Sequence, residues 1–328
     1  MSGGNIAYHL RPNKAVERAL FLDLLNRLGR TSFNISEYQY VGFGGPFMED
    51  FKALHMATRI SDMICIERDP VVQARQKFNC PLKCVKFNLS DSSTFIDNFR
   101  ADRSTVVWLD FTSPGELKQQ LEDTFKLVKN LAHGDIFKVT LNASVVALRE
   151  DLGGLKRNEL ASLRKQVFEE QVGADKPEVV DLSDFKADKY PTLLLHALHN
   201  AARRAVNNTR LFVQPLTAFT YSDGTAMLTA TGMILDPDVA NIADFPLNSR
   251  LDHWPFAKLD WAYPTNIDLP VLSPRERMAL EQIQPNGSVQ DATNIFGEVI
   301  HREGIPPQAI TSFAKFYRMY PEFVRAHL

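Results

Sequence analysis

The stretch Tyr38-Gln39-Tyr40-Val41-Gly42-Phe43-Gly44-Gly45-Pro46-Phe47 constrains this chain more than any other part of it. A short apolar run passes directly into a turn holding three glycines, and helical spacing resumes from Phe47 to Ala57, so the unit reads strand, glycine turn, helix. Glycine removes the side chain where a backbone must bend sharply and where a flat or charged ligand must come close to it. This is the opening βα unit of a doubly wound sheet, in which ligands bind beyond the carboxyl ends of the strands. Any tight turn can use a Gly-x-Gly-Gly run, so the next strand has to discriminate. Asp62-Met63-Ile64-Cys65-Ile66-Glu67-Arg68-Asp69 is apolar until it ends in acids, and Glu67 lies 23 residues beyond Gly44. At about this distance nucleotide-binding α/β units place a carboxylate that accepts from the ribose hydroxyls.

Downstream, the alternation of strand and helix continues. Pro70 to Phe78 reads as a helix, and Lys83 to Leu89 as a third strand closing on Asn88-Leu89-Ser90-Asp91, polar groups that would face a base. Ser90 or Asp91 is equally suited to capping a helix that starts at Ser92. Thr105 to Asp110 is apolar until it meets its acid, and Phe111-Thr112-Ser113-Pro114 follows, which places a carboxylate and a kinked loop on the same rim as Gly44. A helix over 115–131 and a strand from Asp135 to Leu141, with Asn142 at its end, complete the fifth unit. Between 143 and 208 the alternation breaks into two long helical patterns, which predicts a helical insertion forming a lid or substrate pocket. The runs Leu211 to Leu216 and Ala226 to Leu235, joined through Tyr221-Ser222-Asp223-Gly224, predict a hairpin with an antiparallel last strand. The expected fold is therefore α/β, a doubly wound, mostly parallel seven-stranded sheet over 1–235. A proline-spaced irregular connector over 236–272 and a small helical domain over 273–328 would follow it.

An N-terminal helix over 12–29 carries Arg11, Lys14 and Arg18 at spacings of three and four, either a solvated basic face or an anion clamp beside the glycine turn. With 37 basic and 39 acidic residues the net charge is −2, so nothing pulls the whole chain towards nucleic acid or an acidic membrane. No apolar stretch reaches the eighteen or so residues of a membrane span, and no basic segment followed by an apolar run opens the chain. A soluble, cytoplasmic protein is expected. Its three cysteines, Cys65, Cys80 and Cys84, read as reduced structural thiols, and no metal site is expected because no histidine completes a ligand set around Cys80 and Cys84. In the C-terminal helices the Phe313, Phe316, Tyr317 stripe reads as core, which favours packing on the body or on a protein partner over reading DNA.

Over roughly 36–235 the glycine-rich first loop, the acid after strand two, Asp110 at the end of strand four and the antiparallel closing hairpin resemble the class I S-adenosylmethionine-dependent methyltransferases. The Tyr-x-Gly-Phe-Gly form is similar to bacterial sequences described as O-methyltransferases. One departure stands out: strand one of that family usually ends Asp/Glu-x-Gly-x-Gly, and here Gly42 occupies the acidic position, so Glu37, Asp50 or the Arg11/Lys14 group would have to substitute. The resemblance implies S-adenosylmethionine as cofactor, with Gly42, Phe43, Gly44 and Gly45 beneath it, Glu67 on its ribose, Asn88 or Asp91 at its adenine, and Asp110 facing the methyl group and the acceptor. A sulfonium methyl is already activated, so the protein mainly aligns an acceptor and excludes water. An oxygen acceptor also needs a base, for which Asp110 or His9 is available. Arg11, Lys14, Thr112, Asn142, Tyr221 and Asp223 are the candidates on the acceptor side. Asp110-Phe111-Thr112-Ser113 lacks the prolines of the Asn/Asp-Pro-Pro-Tyr pattern, which disfavours methylation of nucleic-acid bases. Three other readings share some of these signals: a nicotinamide-dependent enzyme, a non-catalytic binding protein that kept the fold, and a nucleic-acid methyltransferase using the C-terminal helices. No motif specifies the acceptor.

Overall fold

The computed structural model describes residues 11–148, 156–239, 243–297 and 306–321, so His9 lies outside the described residues. Its sheet comprises β1 (Gln39–Gly42), β2 (Asp62–Glu67), β3 (Val85–Leu89), β4 (Thr105–Asp110), β5 (Ile136–Asn142), β6 (Phe212–Ser222), β7 (Ala226–Leu235) and β8 (Thr265–Ile267). The spatial order is β3-β2-β1-β4-β5-β7-β6-β8. Strands β1 to β5 pair in parallel, and β7 runs antiparallel to both of its neighbours, β5 and β6. The sequence predicts seven strands; the eighth is a three-residue piece that joins β6 in parallel. A segment that short carries no legible alternation, so only its partner reveals it.

Eleven α-helices are described: α1 (Pro12–Leu28), α2 (Glu49–Thr58), α3 (Pro70–Asn79), α4 (Ser92–Asn98), α5 (Leu117–Lys129), α6 (Arg157–Val172), α7 (Tyr190–Val206), α8 (Phe245–Asn248), α9 (Pro274–Gln282), α10 (Val289–Phe296) and α11 (Pro307–Phe316). The strands divide them by their two-residue period. Val107, Leu109, Phe137, Val139 and Leu141 face one apolar cluster, which includes the buried faces of α5 and α7. Val106, Trp108 and Ile136 face the other, which includes the buried leucines of α1 together with Phe51 and Leu54 of α2.

Within 143–208, α7 packs on α5 and buries eleven residues, so it belongs to the body of the fold and not to an appended lid. The irregular 236–272 segment is packed onto the body. Phe245, Leu251, Trp254, Phe256, Trp261, Ile267 and Leu269 are all buried, and Trp261 Nε1 donates to the Thr217 carbonyl at 2.9 Å. Apart from the short α8 and β8, aromatic residues spaced by prolines are buried here without regular structure. The C-terminal helices form their own small cluster around Leu280, Ala292, Ile310 and Phe313. Phe316 stacks on Phe256 of the body at 5.6 Å and Tyr320 Oη donates to the Pro270 carbonyl at 2.9 Å, so this tail docks on the rest of the chain. No described helix is long and apolar enough to cross a membrane.

Candidate active site

Strands β1 and β4 are neighbours although β2 and β3 lie between them in sequence, so the strand order reverses there and a crevice opens at the carboxyl ends. A cavity of about 440 Å³ occupies it. Along its walls come Phe43, Gly44 and Gly45 after β1, Glu67 at the end of β2, Ser90 and Asp91 after β3, and Asp110, Phe111 and Thr112 after β4. The turn is shaped by local constraint: Gly45 sits at φ +52°, a left-handed conformation that favours glycine, and Asn79 Nδ2 anchors the Pro46 carbonyl at 2.7 Å. Gly42 lies just behind, buried under the cavity. A Cβ on it would come within 2.6 Å of Tyr40 Oη, so an acid at this position has no room.

Glu67 Oε1 accepts from the Asp69 amide at 2.9 Å and Oε2 from Gln76 Nε2 at 3.3 Å, which orients the carboxylate and leaves lone pairs for a ligand. Asp91 caps α4 by accepting from the Thr94 amide at 2.8 Å, and that bond holds its carboxyl below the usual range; it lines the cavity as well. Asn88 does not. Side chains alternate along β3, so Asn88 accepts from Ser90 Oγ at 2.7 Å in a separate depression beside Ile64 and Phe95.

Asp110 and Lys14 form an ion pair of 2.6 Å with both side chains almost fully buried. Burial alone would lower the lysine's pKa, but Asp110, aided by Tyr221 and Asp50, outweighs it and keeps the ammonium charged. Four residues on, Arg18 Nε donates to Asp50 Oδ1 at the first turn of α2, and both residues line the cavity. Here too desolvation opposes the charges, and the mutual attraction wins: Arg18 is raised and Asp50 lowered. The solvated-face reading of this helix is therefore corrected. Lys14 and Arg18 point inward, to Asp110 at the end of β4 and to Asp50 in the first turn of α2. Glu17 extends the same row by pairing with Lys138 of β5, a fully buried lysine 4.0 Å from the Trp108 ring centroid.

The remaining candidates occupy supporting positions. Asp223 accepts from the Asn13 amide at 3.2 Å and the Lys14 amide at 2.8 Å; it is the N-cap that α1 lacks locally, delivered by the β6–β7 hairpin. Tyr221 is buried outside the cavity, where desolvation raises its phenol pKa. Asn142 Nδ2 donates to the Thr112 carbonyl at 3.3 Å and so props the loop after β4, and Arg11 is not part of the lining. Cys65 is a buried core thiol pushed up to about 12 by desolvation. Among the groups that went unread in the sequence are Ser92, Gln120 and Asp123, which line the cavity from α4 and α5. Asp123 accepts from Ser92 Oγ at 2.8 Å and from Gln119 Nε2 at 2.9 Å. Single polar residues on an amphipathic helix carry no signal that separates them from a solvent-facing side.

Residues 6–328 match the profile of the family described as "Putative O-methyltransferase". The chain belongs to that family. It is accordingly placed among the methyltransferases, on an acceptor the family description leaves open. No curated protein matches the sequence. Among solved structures it is similar to a "putative O-methyltransferase" from Klebsiella pneumoniae, at 9% identity over 71% of this chain and 83% of that one, with a TM-score of 0.40. It is also similar to cofactor-bound Rv0187 from MTB, at 12% identity over 71% and 83%, TM-score 0.38. Trm1 from Pyrococcus horikoshii in complex with S-adenosyl-L-methionine matches at 13% identity over 69% of this chain and 56% of that chain, TM-score 0.45.

The residues present suit the S-adenosylmethionine that the sequence resemblance implies. An oriented carboxylate stands at the end of β2, serines and Asp91 stand after β3, and the Phe43 and Phe111 rings meet edge to face at 5.8 Å. Deeper in, Asp110 Oδ1 is buried with no hydrogen-bond partner among the described residues, an acceptor with nothing to accept from.

Proposed function

We propose that this chain binds S-adenosylmethionine in the cavity at the carboxyl ends of β1, β2 and β4 and transfers its methyl group to an oxygen of the acceptor. The observation that carries the reading is convergence. The glycine turn, Glu67 and Asp110 come from three separate strands, and all line one cavity at the point where the strand order reverses. In this reading Glu67 accepts from the ribose hydroxyls, Asp91 and Ser90 meet the base, and Gly44 and Gly45 let the backbone approach closely. When bound, the cofactor supplies an electrophilic methyl on a sulfonium. The chain's own work is to position, to exclude water and to place charge. The Phe43 and Phe111 rings provide dry walls, and Thr112 offers a hydroxyl on the rim. Asp110 Oδ2 is already engaged by the Lys14 ammonium, which supports an electrostatic role for Asp110 over that of a proton acceptor.

Glu67→Ala tests the reading. It removes hydrogen bonds to a charged acceptor, so affinity for S-adenosylmethionine measured by calorimetry should fall about thirtyfold or more. An unchanged dissociation constant overturns the assignment of the ribose site.

A further inference from the structure

Two residues of opposite charge that line the same cavity, Asp110 and Arg18, each bury a polar atom whose hydrogen-bonding capacity is unused. Among the described residues Asp110 Oδ1 is buried with no hydrogen-bond partner, and so is Arg18 Nη2, whose neighbour in an ion pair, Glu49 Oε2, is 3.7 Å away and beyond hydrogen-bond reach. Native proteins rarely bury such groups unpaired without a use for them. The construction behind them is the same in both cases. Asp110 is held through Oδ2 by Lys14 and Arg18 through Nε by Asp50, so each is clamped at one atom and keeps another without a hydrogen bond. Both clamps depend on α1, which supplies Lys14 and Arg18 one turn apart. Gly42 supplies no acid to this part of the site, because Tyr40 Oη fills the space a side chain there would need.

A carboxylate oxygen and a guanidinium N–H without hydrogen-bond partners, on two residues lining one cavity, complement a zwitterion, one ammonium and one carboxylate on the same carbon. Building on the cofactor site proposed above, we infer that Arg18 and Asp110 together read the amino-acid end of S-adenosylmethionine. Arg18 Nη2 donates to its carboxylate and Asp110 Oδ1 accepts from its ammonium. Helix α1 thereby provides what the acid missing at position 42 cannot, and Lys14 and Asp50 act as positioning residues that fix the two readers.

The test compares S-adenosylhomocysteine with 5′-methylthioadenosine, which keeps the nucleoside and thioether but has no amino-acid end. By calorimetry the wild-type chain should prefer the former by about a hundredfold, roughly tenfold for each charge-assisted contact. Arg18→Gln and Asp110→Asn should each reduce that preference about tenfold and leave methylthioadenosine affinity unchanged, which also shows that the site is folded. Arg18→Lys keeps a cation for Asp50 but loses the fork, so it should lose preference without loss of fold. A ligand-side check needs no variant: decarboxylated S-adenosylmethionine should bind the wild type about tenfold more weakly than S-adenosylmethionine. Equal wild-type affinity for the two nucleosides, or variants that weaken both in parallel, overturns this inference and leaves the nucleoside site intact. Binding of neither nucleoside overturns the cofactor site and this inference with it.

Discussion

Helices α1 and α7 are each 17 residues long and lie on opposite faces of one sheet, yet they hold to it by different means. The buried side of α7 is Tyr190, Pro191, leucines, alanines and Val206, with no charged residue in it. That of α1 mixes leucines with Asn13, Lys14 and Glu17. Apolar burial is non-directional, so α7 needs only volume and complementary shape. Each buried charge on α1 instead needs one partner in one place, and desolvation takes back most of what the pairing contributes. A protein that only needed a helix there would do as well with leucines. The difference teaches that α7 is built for stability and α1 for the cavity whose charged groups it clamps.

Breaking each helix's grip should show the contrast most sharply. Lys138→Met leaves the Glu17 carboxylate buried without its cation and should cost about 3–5 kcal/mol in urea unfolding, whereas adding Glu17→Leu should restore most of that loss. If the double variant is as unstable as the single, the pair is not the reason. On the other face, Leu194→Ala in α7 should cost about 3 kcal/mol from lost transfer energy and the cavity left behind. No second substitution of an ion partner should rescue it, and a loss under about 1 kcal/mol would mean the site collapses freely.

A smaller effect sharpens the comparison through pH. His199 on α7 is pushed down to about 4 by burial, with Arg203 and His196 adding to the shift. The unfolded chain binds this proton below the ordinary value of 6.5 and the folded chain does not, so the contribution is complete above that pH and is lost as pH falls towards 4. Asp135, raised to about 6 by burial, works in the opposite direction over much of the same range. The measurement is therefore the difference between wild type and His199→Gln: the variant should lose less stability between pH 6.5 and pH 4. Identical profiles would show that His199 does not sense its burial. The ion pairs of α1 should contribute nothing to this difference.

Much of the scaffold was legible because it is periodic. The apolar run into Gly42, Gly44 and Gly45, the acid at Glu67 and the acid closing β4 at Asp110 all fall where the structure puts the ends of strands, and the Asp223-Gly224 turn is a hairpin. Periods of two and 3.6 residues encode which face is apolar, and a strand that stops at a charge announces its own end. Asn88 shows the limit of reading position without direction, since one residue along a strand reverses the face. The 236–272 segment shows another, because aromatic residues buried without regular structure leave no period to read.

Pairing was decided by the tertiary structure alone. Asp223 caps a helix 209 residues earlier, Lys14 meets Asp110 across 96 residues and Lys138 meets Glu17 across 121. The sequence by itself determined that the chain forms a doubly wound sheet with a glycine turn and acids at its carboxyl edge, because backbone geometry and apolar patterning are local. Which cation neutralises which acid, and which oxygen is left without a hydrogen bond, depends on side chains meeting within a few ångströms after folding, and no spacing along the chain carries that distance.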